Sequence, residues 1–116
     1  ESEANSTFSA RYKKRYGADE PTNMCLEAAY FQVHMFAKAL EETNSLDTDL
    51  LRPTILGSEF EAPQGKISIN QGCSHADLWT RIGKVNRGGR FDIMYESKSR
   101  VSADPYLIGY SRSIAF

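Results

Sequence analysis

The chain has 116 residues, of which 41% are hydrophobic and 25% charged, and its formal net charge is −1. That size suits one small domain with a core, and the near-neutral charge excludes non-specific nucleic-acid binding, which needs a basic surface. No apolar run approaches the length of a membrane span, and two cysteines are too few for a disulfide framework. For Cys25 and Cys73 themselves, a mutual bridge and two free thiols both stay open.

The first element in chain order is a helix over residues 5 to 16. Asn5 or Ser6 is positioned to cap it. Phe8, Tyr12 and Tyr16 recur at helical spacing as a narrow apolar stripe. Arg11, Lys13, Lys14 and Arg15 flank the stripe and read as a solvated face near the negative end of the helix dipole. Gly17 stands where a left-handed C-terminal cap belongs. A connector follows, marked by Pro21.

The strongest helix runs from about Asn23 to Glu42, with Thr22 or Asn23 as its cap. Leu26, Ala29, Tyr30, Val33, Ala37 and Leu40 form the stripe expected to be buried. Cys25, Ala28, Met35 and Ala39 extend it, and Phe31 sits at the edge of the polar side, half-covered. The polar stripe of Glu27, His34, Lys38 and Glu41 is narrow. A helix apolar over most of its girth is covered on more than one side.

Asp47 to Leu56 reads as a weaker helix. Asp47, Thr48 and Asp49 are all good caps, Pro53 limits its length or start, and Gly57 ends it. Ile67 and Ile69 form a short strand, and the polar residues 70 to 77 form a loop. Two alternating runs, near 79–86 and 89–96, flank Arg87-Gly88-Gly89 and read as an antiparallel β-hairpin. Residues 97 to 105 are irregular, and Leu107 to Tyr110 is a short final strand. Three helices followed by strands give an α+β order.

Catalytic and metal signals are sparse. His34 and His75 lack the spacing of a helical zinc pair. Cys73 beside His75 supplies two ligands, which do not make a metal site. No Gly-x-Ser-x-Gly elbow is present, and no base is placed to activate Cys25. The Arg87-Gly88-Gly89-Arg90 segment reads as a hairpin turn rather than an RNA contact. Nothing here points to an enzyme, and no cofactor is expected.

Six segments carry a family resemblance by their order and spacing. They are Phe8-Ser9-Ala10-Arg11-Tyr12, Glu27-Ala28-Ala29-Tyr30, Ala62-Pro63-Gln64-Gly65, Arg81-Ile82-Gly83-Lys84-Val85, Gly89-Arg90-Phe91-Asp92-Ile93 and Asp104-Pro105-Tyr106. Together they resemble the C-terminal third of type I periplasmic solute-binding proteins, nearest to the amide and urea binders. The resemblance implies an α/β fold of two lobes, of which residues 1–116 are the C-terminal part. Such proteins are about three times as long, so truncation or processing is expected. It implies a solute receptor for an ABC transporter that binds a small amide, urea or amino acid between its lobes. Its partners would be the membrane permease and the remainder of its own chain, in the periplasm. The alternative within the same family is a cytoplasmic amide-sensing negative regulator that holds a partner protein.

In this fold class the first turn of the long helix looks toward the cleft, and helix N-termini favour anionic or carbonyl oxygens. That makes Asn23, Met24 and Glu27 the candidate ligand-binding residues. The plain alternative is capping by Asn23, packing by Met24 and solvation of Glu27. The amide and urea branch also carries a histidine matching His75, which suggests a hinge role there.

Overall fold

The computed structural model describes residues 2–107. Its three helices are α1 (Glu3–Tyr16), α2 (Met24–Thr43) and α3 (Thr48–Ile55). The first amides of a helix have no intrahelical acceptor, so a side-chain oxygen just ahead of them fixes the start. Ser2 Oγ accepts from the Asn5 amide at 3.1 Å. Asn23 Oδ1 accepts from Cys25 and Leu26 at 3.0 and 3.1 Å. Asp47 Oδ1 accepts from Asp49 at 2.9 Å.

The caps of α2 and α3 fall where the sequence places them, but that of α1 does not. Neither Asn5 nor Ser6 caps α1; Ser2 does, and Asn5 lies inside the first turn as its donor. Gly17 ends α1 with φ 134° and ψ 145°, a backbone state open to glycine but distinct from the left-handed helical cap expected. Pro53 is tolerated inside α3, which is only eight residues long.

Two antiparallel sheets follow. The first holds β1 (Glu59–Ala62), β2 (Gly65–Ile69) and β3 (Ala76–Asp77) in that order. The second is the hairpin of β4 (Arg81–Val85) and β5 (Phe91–Glu96), with Val85 opposite Phe91. The turn is built on Asn86, whose Oδ1 accepts from the Gly88 and Arg90 amides. A register shift between Ile82 and Gly83 breaks the strict alternation of the hairpin. Residues 70–77 are not all loop, because Ala76 and Asp77 pair with β2. The expected final strand at Leu107–Tyr110 falls outside the described residues apart from Leu107.

The core lies between α2 and the first sheet. Phe31, Met35, Ala62 and Ile67 are buried together, with Ala28, Phe60, Ile69, Ala76 and Leu78 packed around them. Phe8 of α1 is buried against Tyr30, with ring centroids 4.9 Å apart. Leu51 of α3 is also buried.

The buried stripe of α2 is therefore not the expected one. Phe31 is 4% exposed rather than half-covered, and Val33 is 67% exposed. Ala29 and Ala37 are exposed, while Leu26, Tyr30 and Leu40 are half-buried. The cause is that α2 is apolar on two sides. The sheet takes the side of Phe31, Met35 and Ala39, which recur at i, i+4 and i+8. The side of Ala29, Val33, Phe36 and Ala37 lies largely open.

Candidate solute-binding site

Ala62 pairs with Gly65 across β1 and β2, leaving Pro63-Gln64 as a two-residue turn. Bonds from three other parts of the chain converge on it. Glu27 Oε1, in the first turn of α2, accepts from the Gln64 amide at 2.6 Å. Ser2 Oγ donates to the Pro63 carbonyl at 2.7 Å. Arg81 Nη2 donates to the Gln64 carbonyl at 2.9 Å and pairs with Glu96 Oε1 at 2.6 Å. The Trp79 amide donates to Gln64 Oε1 at 3.2 Å, and the Trp79 indole N–H to the Lys66 carbonyl at 2.9 Å. Gly65 is needed twice over: its φ is +116°, and a Cβ there would sit 3.1 Å from the indole nitrogen.

Beside this junction lies a concavity of about 750 Å3. Its polar lining comes from Ser2, Asn5, Glu27, Gln64, Arg81 and Glu96. Pro63, Phe91 and Ile93 supply apolar wall. An ionised carboxylate has about four acceptor positions, so Glu27 keeps acceptor capacity after taking the Gln64 amide. Acceptors on Glu27 and Glu96, with donors on Arg81, give the site complementary groups for a small polar solute.

Of the three sequence-derived site residues, only Glu27 lines this concavity. The Asn23 side chain is engaged in capping α2. Met24 is 79% exposed at the start of α2. The sequence carries no local signal for Gln64, Arg81 and Glu96 as site residues, although Gln64 and Arg81 lie within motifs that carry the resemblance. Their meeting with Glu27 spans long sequence separations, which no local pattern reveals.

A second network holds the chain after the hairpin. Asp77 Oδ1 accepts from the Ala103 amide at 2.7 Å and from Asn70 Nδ2 at 3.1 Å, and Ser68 Oγ donates to its Oδ2 at 3.3 Å. Partial burial pushes the Asp77 carboxyl up. The Ala103, Asn70 and Ser68 hydrogen bonds, with Arg100 nearby, outweigh it and hold the carboxyl below its ordinary value. Glu59 is held low by its bonds to Lys66 and Arg100, both at 2.8 Å. Cys25 is exposed, Cys73 half-buried, and both are free. Among the described residues there is no group of three or more His, Cys, Asp or Glu placed to hold a metal. No helix among them is long and apolar enough to cross a membrane.

The chain matches the periplasmic binding protein domain model over residues 1–112 and belongs to that family. The α+β order read from the sequence is the one observed, and it corresponds to part of the type I binding-protein fold.

The chain is similar to a solute-binding protein of an ABC transporter from Rhodopseudomonas palustris BisB5, solved in complex with 3,4-dihydroxybenzoic acid. The identity is 26% and the TM-score 0.77, over 90% of this chain and 29% of that one. An ABC-type branched-chain amino acid transporter protein from Rhodopseudomonas palustris CGA009 shares the fold at 19% identity. Its TM-score is 0.70, over 83% of this chain and 27% of that one. Among curated proteins, a limonene hydroxylase from Geobacillus stearothermophilus is 29% identical over 103 residues, 89% of this chain and 19% of that protein. The chain thus spans about a fifth of that curated relative and under a third of each of these solved structures. The family model is that of a periplasmic binding protein domain, and the BisB5 relative is a transporter binding protein.

Proposed function

We propose that this chain is the C-terminal part of a two-lobe solute receptor for an ABC transporter, working in the periplasm with a membrane permease. The proposed ligand is a small amide, urea or amino acid. The concavity beside Gln64 carries this reading, because it sets two carboxylates and a guanidinium against apolar wall. Amide and urea N–H groups need acceptors, which Glu27 and Glu96 offer. A carbonyl or carboxylate needs donors, which Arg81 offers. Glu27 is the principal contact. Met24 lies on the exposed start of the same helix, outside the concavity, and Asn23 holds the helix end in place. The BisB5 relative was solved with a hydroxylated benzoate, so an aromatic acid is a ligand class to set beside the amides.

A receptor of this kind closes two lobes around its ligand, and this chain supplies one wall. Each hydrogen bond missing from a neutral ligand costs about 0.5–1.5 kcal/mol, and each 1.4 kcal/mol is about tenfold in affinity. Titration calorimetry with acetamide, urea, leucine and 3,4-dihydroxybenzoate tests the reading on this chain and on a chain carrying both lobes. The two-lobe chain is expected to bind an amide or urea, and the 116-residue chain to give no measurable heat with either. Tight amide binding by the short chain overturns the split site. Heat only from leucine, or only from the benzoate, moves the ligand class.

A further inference from the structure

We propose that the groove between α2, α3 and the loop from β2 to β3 is a second small-molecule site, for a compound with an apolar body and one carboxylate. This goes beyond the solute-cleft reading, and the two sites share no lining residue. The groove measures about 650 Å3, inside the range of ordinary ligand sites. Phe31, Met35 and Phe36 of α2 form one wall, and Leu51 and Ile55 of α3 another, with Ile69 between them.

The charge of the lining selects the ligand. Arg52 lines the groove, and no Asp or Glu does. Arg52 enters no ion pair among the described residues, so its guanidinium is available. A guanidinium matches a carboxylate with two parallel hydrogen bonds. His75 adds a second polar group. Its Nδ1 lies 2.8 Å from the Cys73 carbonyl oxygen, an atom that only accepts, so Nδ1 donates there and Nε2 of the neutral ring is an acceptor, which suits a hydroxyl on the ligand and leaves the carboxylate to Arg52. Ser74 holds φ at +58°. Its amide bonds to the Asn70 carbonyl at 3.0 Å, and the Asn70 amide to the His75 carbonyl at 2.7 Å, which fixes the loop edge along the groove. An anion meets no carboxylate in this lining, whereas the cleft beside Glu27 and Glu96 is lined by two.

The test is a titration of sodium benzoate into isotope-labelled chain, followed by NMR, with benzyl alcohol as the uncharged match and Arg52→Gln as the variant. Arg52 is exposed, so the variant is expected to fold. Benzoate should shift the signals of Phe36, Arg52 and His75. Both benzyl alcohol and the variant should bind about tenfold more weakly, the effect of losing a charge-assisted hydrogen bond. Absence of shifts at millimolar benzoate overturns the proposal. So does equal binding of benzyl alcohol, or undiminished binding by Arg52→Gln. Shifts of Arg52 and His75, which lie off the open side of α2, that follow protein concentration rather than benzoate would place a second copy in the groove and overturn it too.

Discussion

Single carboxylates hold distant parts of this chain in place. Glu27 ties α2 to the β1–β2 turn, and Asp77 ties β3 to the segment at Ala103. Asp77 makes stability depend on pH. Its folded pKa lies below the ordinary value, so the unfolded chain takes up the proton more readily. The stabilisation is complete above the ordinary Asp range, near pH 4, and is lost as pH falls through the lower folded value. Asp77→Asn keeps an acceptor but removes the charge. At about pH 7 the variant should be less stable by ~1 kcal/mol, a low figure because the group is partly solvated. Urea midpoints of both proteins at about pH 7 and about pH 3 check this. The gap should narrow at the acid end. A gap that stays constant or widens there would mean that the charge contributes nothing. Glu59 titrates in the same acid region but is common to both proteins, so it cancels from the comparison.

At the scale of elements, α2 decides which residues matter for folding. Phe31→Ala removes a ring from the buried cluster and should cost about 3–5 kcal/mol. Val33→Asp should change stability by no more than about 0.5–1 kcal/mol, since Val33 is exposed and Asp and Val have similar helix propensities. Thermal melts of the two variants separate the faces. Unfolding by Val33→Asp with little effect of Phe31→Ala would reverse the assignment.

The same helix marks how far the sequence could be read. Its ends were legible, because capping by Asn23 and the helical repeat are local. So was the β4–β5 hairpin, since alternation and turn residues lie within a few positions of each other. The choice of face was not local. α2 offers two apolar sides, and only the position of the sheet selects Phe31 over Val33. β3 was missed because two residues make no pattern, and the start of α1 because several good caps compete. Glu27 was legible as a residue in the first turn of a helix. Its partner Gln64, and the approach of Arg81 and Glu96, follow from tertiary packing that periodicity does not encode.

At the scale of the whole molecule, the large hydrophobic side chains left exposed among the described residues outnumber the hydrophobic residues buried in the core. The outer side of α2 presents Ala29, Val33, Phe36 and Ala37, with Leu26 and Leu40 half-covered. Leu26, Ala29, Val33, Phe36 and Leu40 follow the alternating three-and-four spacing of a helix-packing seam. The hairpin adds Ile82, Val85, Phe91, Ile93 and Met94, all exposed. A two-stranded hairpin has too little cover of its own to be stable alone. Monomeric proteins rarely keep apolar patches beyond a few hundred Å2 open. In a two-lobe receptor the remainder of the chain would cover the seam. The 116-residue chain is therefore expected to self-associate through α2, with an apparent mass that rises with concentration. Light scattering behind size exclusion measures this directly. Val33→Glu places a charge in the middle of the seam and should shift the population toward monomer. A clean monomer at all concentrations, or association unchanged in Val33→Glu, would show that the open face of α2 is not the surface that needs covering.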